Sequence, residues 1–133
     1  MIVTDASFLV MALADDGDDG AEARARLRGE ELAAPHLADL EVTSVLRRSV
    51  AAGSVTVQRA YQALEDLSDL DIERVGHTSL LRRVWELRGN YTAYDASYVA
   101  LAELFQAPLL SCDARMAGGS GARCVFEVFP KAR

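Results

Sequence analysis

Four carboxylates stand where folding could bring them to one place: Asp5, Glu41, Asp95 and Asp113. Asp5 closes a β-prone run over residues 1–4, and Asp113 closes an apolar run over residues 109–112, so each falls at the carboxyl end of an expected strand. Asp95 follows Thr92 by three residues, the spacing of a capping box, which puts its carboxylate in the first turn of a helix beside unpaired N–H groups. Glu41 lies on an apolar helical stripe of Leu37, Leu40, Val45 and Leu46, where a carboxylate must be paired, protonated or bound to a cation. Each acid has an ordinary alternative: Asp5, Asp95 and Asp113 as helix caps, Glu41 as the partner of an arginine. A cap contributes about 0.3–1 kcal/mol, whereas two carboxylates about 5 Å apart at an effective dielectric near 20 repel by about 3 kcal/mol. Four converging acids are therefore tolerated only with protons or cations among them. Oxygen ligands without cysteine or histidine select Mg²⁺ or Mn²⁺.

The elements that must position these acids follow from periodicity. Residues 92–103, TAYDASYVALAE, are apolar on most of a helical circumference, with Tyr94, Tyr98, Leu101 and Phe105 at three- and four-residue spacing; this predicts a buried central helix ending near Gln106. Further helices are expected over residues 6–13, 21–28, 37–52 with Gly53 closing it, 54–70, and from His77 or Thr78 to about Arg88. His36 and His77 read as helix-start residues, neither having a partner at ligand spacing. Strands are expected over residues 1–4, 31–35, 71–75, 109–112 and 124–129. Asp15, Asp16, Asp18 and Asp19, with Gly17 and Gly20, read as a solvated acidic loop without chemistry. Strands alternating with helices predict an α/β fold with a mainly parallel central sheet flanked by helices, whose ligand site lies beyond the carboxyl ends of the strands.

At 133 residues the chain reads as a single domain over residues 1–133 with room for a core of its own. A formal charge of −6 excludes gripping nucleic acid by bulk charge, so a polyanionic substrate needs a metal or placed arginines. Thirteen of the 14 basic residues are arginine, and Arg47, Arg48, Arg82, Arg83 and Arg88 are candidates for phosphate contacts leading to the acids. Cys112 and Cys124 lack zinc-site spacing and read as buried thiols of a cytoplasmic protein. The apolar run over residues 8–14 has no basic region before it, is cut off from the apolar residues 1–3 by Asp5, and is too short to span a bilayer, so no membrane association is expected. Gly118, Gly119 and Gly121 do not follow a phosphate-cradle pattern.

The segments VTDAS around Asp5, LADLEVTSVLRR around Glu41, TAYDASYVALAE around Asp95 and LLSCDARMA around Asp113 resemble, in order and spacing, the PIN-domain ribonucleases, and more narrowly the toxin component of VapBC toxin–antitoxin pairs. The resemblance implies a PIN-like three-layer fold, Mg²⁺- or Mn²⁺-dependent endoribonuclease activity at Asp5, Glu41, Asp95 and Asp113, and a cognate antitoxin that blocks the site. Transfer or ribosomal RNA is the implied substrate class, cut in an exposed loop. Two positions depart from the family: Ser44 stands where many relatives carry asparagine and Ser111 where threonine is frequent, and either serine can still donate to a ligating carboxylate or water. The apolar face of Val57, Tyr61, Leu64 and Leu67 could take an antitoxin segment or form a homodimer. Other classes fit less well. A signalling receiver domain relies on a lysine beyond the last strands, and the sole lysine here is Lys131. A phosphatase of the haloacid-dehalogenase kind requires D-x-D where this chain has Asp5-Ala6-Ser7. A catalytically inactive PIN fold acting only as a binding partner would not need all four acids.

Overall fold

The computed structural model describes residues 1–131. The strands β1 (Ile2–Thr4), β2 (Leu32–Pro35), β3 (Ile72–Val75), β4 (Leu109–Ser111) and β5 (Phe126–Val128) form one sheet in the order β3-β2-β1-β4-β5, with every neighbouring pair parallel. The three central strands are buried along their whole length, as expected of a sheet covered on both faces. Val3, Ala33 and Leu109 enter one apolar layer, and Ile2, Leu32 and Leu110 enter the other. From β1 the chain builds outward through β2 to β3, then returns to lay β4 on the opposite side of β1. The strand order therefore reverses between β1 and β4, and a crevice opens beyond their carboxyl ends.

Seven α-helices among the described residues complete the layers: α1 (Ala6–Ala14), α2 (Asp18–Leu27), α3 (Leu37–Ala51), α4 (Val57–Asp69), α5 (Leu81–Glu86), α6 (Ala93–Phe105) and α7 (Ala114–Gly118). As the sequence predicts, α6 is the central helix, buried without interruption from Ala96 to Ala102. Thr92 caps its start, its hydroxyl accepting from the Asp95 N–H at 3.1 Å, and Gln106 ends it in the left-handed region at φ 51°.

Several expectations are corrected. The acidic stretch is only partly loop: α2 begins at Asp18, which puts Asp18 and Asp19 in a first turn where the helix dipole favours acids. Gly20 lies so close to α1 that a Cβ there would fall 1.8 Å from the Asp15 carbonyl oxygen, so it is needed for α2 to pack. The helix expected from residue 54 starts at Val57 behind a Thr56 cap, because residues 52–55 terminate α3: Gly53 turns at φ 79° and the Ser54 and Val55 N–H groups both donate to the Ser49 carbonyl. The helix expected to reach Arg88 is a single 3₁₀ turn, Thr78–Leu80, followed by the short α5. The buried stripe of α3 is Ala38, Val42 and Leu46, while Leu40 is 75% exposed; Tyr94, at apolar spacing on α6, is 64% exposed. Cys112 and Cys124 are free and half-buried, and burial pushes both thiols up to about 11. Among the described residues no helix is long and apolar enough to cross a membrane.

Candidate active site

All four acids singled out from the sequence line one cleft of about 220 Å³ at the reversal point, together with Ser7, Ser44, Arg48 and Tyr98. Asp5 follows β1 directly and caps α1, its Oδ1 accepting from the Phe8 N–H at 2.9 Å. Asp113 follows β4 by two residues and caps α7, its Oδ1 accepting from the Arg115 N–H at 2.9 Å. The cap readings and the site reading are thus compatible: capping fixes each carboxylate while leaving it on the cleft. Glu41 comes in on α3 and Asp95 on the first turn of α6.

Each acid except Asp95 has found a hydrogen donor. Asp5 is 4% exposed, and its remaining lone pairs accept from the hydroxyl of Ser7 at 2.7 Å and from that of Ser111 in a short bond. Ser111 also receives the Asp113 N–H at 2.9 Å, so one hydroxyl links the two strand-end acids. Glu41 accepts from the hydroxyl of Tyr98, which is 1% exposed, at 2.6 Å. Burial, the Glu41 carboxylate and the other acids hold the Tyr98 hydroxyl far above its usual range, so it stays a donor. The Asp95 carboxylate takes no hydrogen bond among the described residues. Burial first, then the charges of Glu41, Asp113 and Asp5, push its pKa up, with Arg115 opposing. Burial likewise raises Asp5, against the hydrogen bonds from Ser111, Phe8 and Ser7 that lower it. The acids are electrostatically coupled, as convergence requires.

Among the described residues no group of three acidic, histidine or cysteine side chains is gathered tightly enough to hold an ion by itself. The carboxylates of Asp5, Glu41 and Asp113 are each turned to hydroxyl or amide donors instead. The donor set nevertheless suits Mg²⁺ or Mn²⁺, which take oxygen ligands and keep several waters, so that one or two carboxylates suffice. Asp95, raised in pKa and without a donor, has most to gain from a cation.

Sequence reasoning missed Tyr98 and Ser7. Periodicity places Tyr98 on the apolar stripe of α6, yet its position three residues after Asp95 puts both on one helix face, which is a legible signal. The family departures resolve differently: Ser111 donates to a carboxylate as expected, whereas the Ser44 oxygen is taken by Arg48 Nη1 at 3.0 Å. Of the candidate arginines only Arg48 lines the cleft; Arg83 is held by Glu103 at 2.6 Å, and Arg88 stacks on Trp85 with its guanidinium carbon 4.3 Å from the ring centre.

The parallel 3-2-1-4-5 sheet, with four acids on a crevice beyond its carboxyl ends, is the arrangement the PIN resemblance implies. The profile of that family, described as PIN domain, matches residues 2–118, and the chain belongs to the family. Within it the similarity is to VapC proteins: the chain is 39% identical over 131 residues to Ribonuclease VapC9 of Mycobacterium tuberculosis, covering 98% of this chain and 100% of the relative. Among solved structures, VapC20 of Mycobacterium tuberculosis, described as a Sarcin-Ricin loop cleaving toxin, superposes with a TM-score of 0.69 at 14% identity, covering 89% of this chain and 94% of the other. VapBC2 from Rickettsia felis, bound to a DNA fragment from its promoter, gives 0.68 at 14% identity, with 96% and 98% covered. At those identities the two structures speak for the fold.

Proposed function

We propose that this VapC-type chain is a Mg²⁺- or Mn²⁺-dependent endoribonuclease and the toxin of a toxin–antitoxin pair, cutting a structured RNA of the transfer or ribosomal class in an exposed loop. The observation that carries this reading is the convergence of Asp5, Glu41, Asp95 and Asp113 on one cleft at the strand-order reversal. The naming of the full-length relative as a ribonuclease supports the activity. Asp5, Glu41, Asp95 and Asp113 would hold the ion, which when bound supplies Lewis acidity toward the scissile phosphate and an activated water. Ser7 and Ser111 fix the Asp5 carboxylate, so its position is set before substrate arrives. Tyr98 does the same for Glu41.

The antitoxin reading is supported by the fold shared with VapBC2 from Rickettsia felis. A groove of about 330 Å³ between α3 and α4, lined by Leu46, Val50, Val57, Ala60, Tyr61 and Leu64, offers an apolar bed for an antitoxin segment. Val57 and Tyr61 are 51% and 68% exposed, whereas Leu67 belongs to the core at 4%. A homodimer remains part of the proposal, on the same exposed apolar surface.

Asp95→Asn is the test. Asparagine keeps the first-turn geometry and removes the charge that Glu41, Asp113 and Asp5 oppose, so the variant should fold and lose RNA cleavage. The 5′ ends of cellular RNA mapped after induction, wild type against the variant, should show one dominant cut in a stable RNA. Undiminished cleavage by the folded variant removes Asp95 from the site, and cuts scattered through messages defeat the loop-specific reading.

A further inference from the structure

Arg48 is the cation of the cleft whose charge is left over. Four other arginines form close ion pairs elsewhere: Arg26 with Glu30 and Glu127 at 2.8 Å, Arg59 with Asp16 at 2.9 Å, Arg74 with Asp39 at 2.7 Å and Arg83 with Glu103 at 2.6 Å. Arg48 lines the same cleft as four carboxylates, yet among the described residues its guanidinium forms no ion pair; its Nη1 donates to the neutral Ser44 hydroxyl, one helical turn back on α3, at 3.0 Å. That bond leaves further N–H groups of the fork available and steadies the side chain along the cleft wall. Both Arg48 and Arg115 are exposed, but Arg115 lies 3.6 Å from Asp113 of its own turn and is not among the residues lining the cleft, whereas Arg48 is.

Resting on the ribonuclease reading above, we infer that Arg48, oriented by Ser44, is the phosphate-binding residue of this cleft, gripping a backbone phosphate of the RNA beside the scissile one. A guanidinium fork matches two phosphate oxygens, a geometry that an ammonium cannot reproduce. An acidic cleft in a chain of net charge −6 otherwise repels the polyanion it must admit, and one held cation at the wall gives the strand a fixed register. The bond from Arg48 gives Ser44 a positioning role toward substrate, in place of the carboxylate contact expected from the family pattern.

The test compares wild type with Arg48→Ala, Arg48→Lys and Ser44→Ala, in full-length chains whose melting temperatures are first shown to match. Each is read in two ways: KM and kcat for a single-stranded RNA oligonucleotide in Mg²⁺, and the salt dependence of its binding in an Asp95→Asn background. Arg48→Ala should raise KM about tenfold with a smaller change in kcat, and should lower the slope of log affinity against log salt by about 0.7, the loss of one phosphate contact on a single strand. Arg48→Lys should restore the slope but only part of the KM, and Ser44→Ala should raise KM without changing the slope. An unchanged KM and slope in Arg48→Ala, with wild type cleaving normally, overturns the inference while the ribonuclease reading stands. If wild type neither binds nor cleaves the oligonucleotide, and its induction cuts no cellular RNA, both fall.

Discussion

Replacing Tyr98 by phenylalanine removes a single oxygen from a side chain that is 1% exposed, and so isolates the bond that ties α6 to α3 across the cleft. The ring keeps its place in the core, so no cavity of consequence forms. What is lost is a 2.6 Å hydrogen bond to a carboxylate, a class of bond contributing about 1.5–3 kcal/mol. Glu41 faces the open cleft and can recover water, which offsets part of that loss and leaves a net cost of about 1–2 kcal/mol. For a chain of this length each kcal/mol lowers the melting temperature by about 3–5 °C, so Tyr98→Phe should melt about 3–10 °C below wild type. Glu41→Gln is the matched control: the amide oxygen still accepts from the Tyr98 hydroxyl, so its melting temperature should stay close to wild type while cleavage is lost. The assay is thermal unfolding in EDTA followed by circular dichroism, with RNA cleavage measured in Mg²⁺ on the same preparations. A Tyr98→Phe variant melting within about 1 °C of wild type would refute the reasoning, since the bond would then contribute nothing measurable.

Metal-free stability should pass through a maximum on acidification. Asp5 and Asp95 are raised above their ordinary 3.8, chiefly by burial, so the stability they contribute is complete below 3.8 and is lost as pH rises through their raised values. Glu127, held below its ordinary 4.5 by the hydrogen bond from Arg26, contributes above 4.5 and loses that contribution as pH falls through its lowered value. As pH falls through the raised values of Asp5 and Asp95 toward 3.8 the melting temperature in EDTA should therefore climb, and it should fall once Glu127 is protonated below 4.5 and the two aspartates have no more to add, with the climb reduced in Asp5→Asn; a steady fall from neutrality would contradict the assignment. On α3, Val42→Ala should cost about 2 kcal/mol and Leu40→Ala less than about 0.5 kcal/mol in urea unfolding, and equal costs would contradict the buried stripe described above.

Local physics made much of this protein legible in one dimension. The Thr92 cap, the continuous apolar circumference of α6, the glycine that ends α3 and the strand-then-acid junctions at Asp5 and Asp113 are all settled by residues within a few positions of one another. The order of four acid-bearing segments was likewise readable, and with it the PIN resemblance. What local pattern could not decide was which partner each group meets. The donors to Glu41 and Asp5 come from Tyr98 and Ser111, 57 and 106 positions away, and only the parallel crossing of β1 with β4 brings the second pair together. Leu40 fits an apolar helical stripe by spacing, yet no element packs over it, because burial depends on where neighbouring elements lie as well as on periodicity. The same holds for the arginines. Arg48 and Arg83 are alike as sequence, and the fold alone sets Arg83 against Glu103 while leaving Arg48 at the wall of the acidic cleft, because a charge is paired by proximity in space.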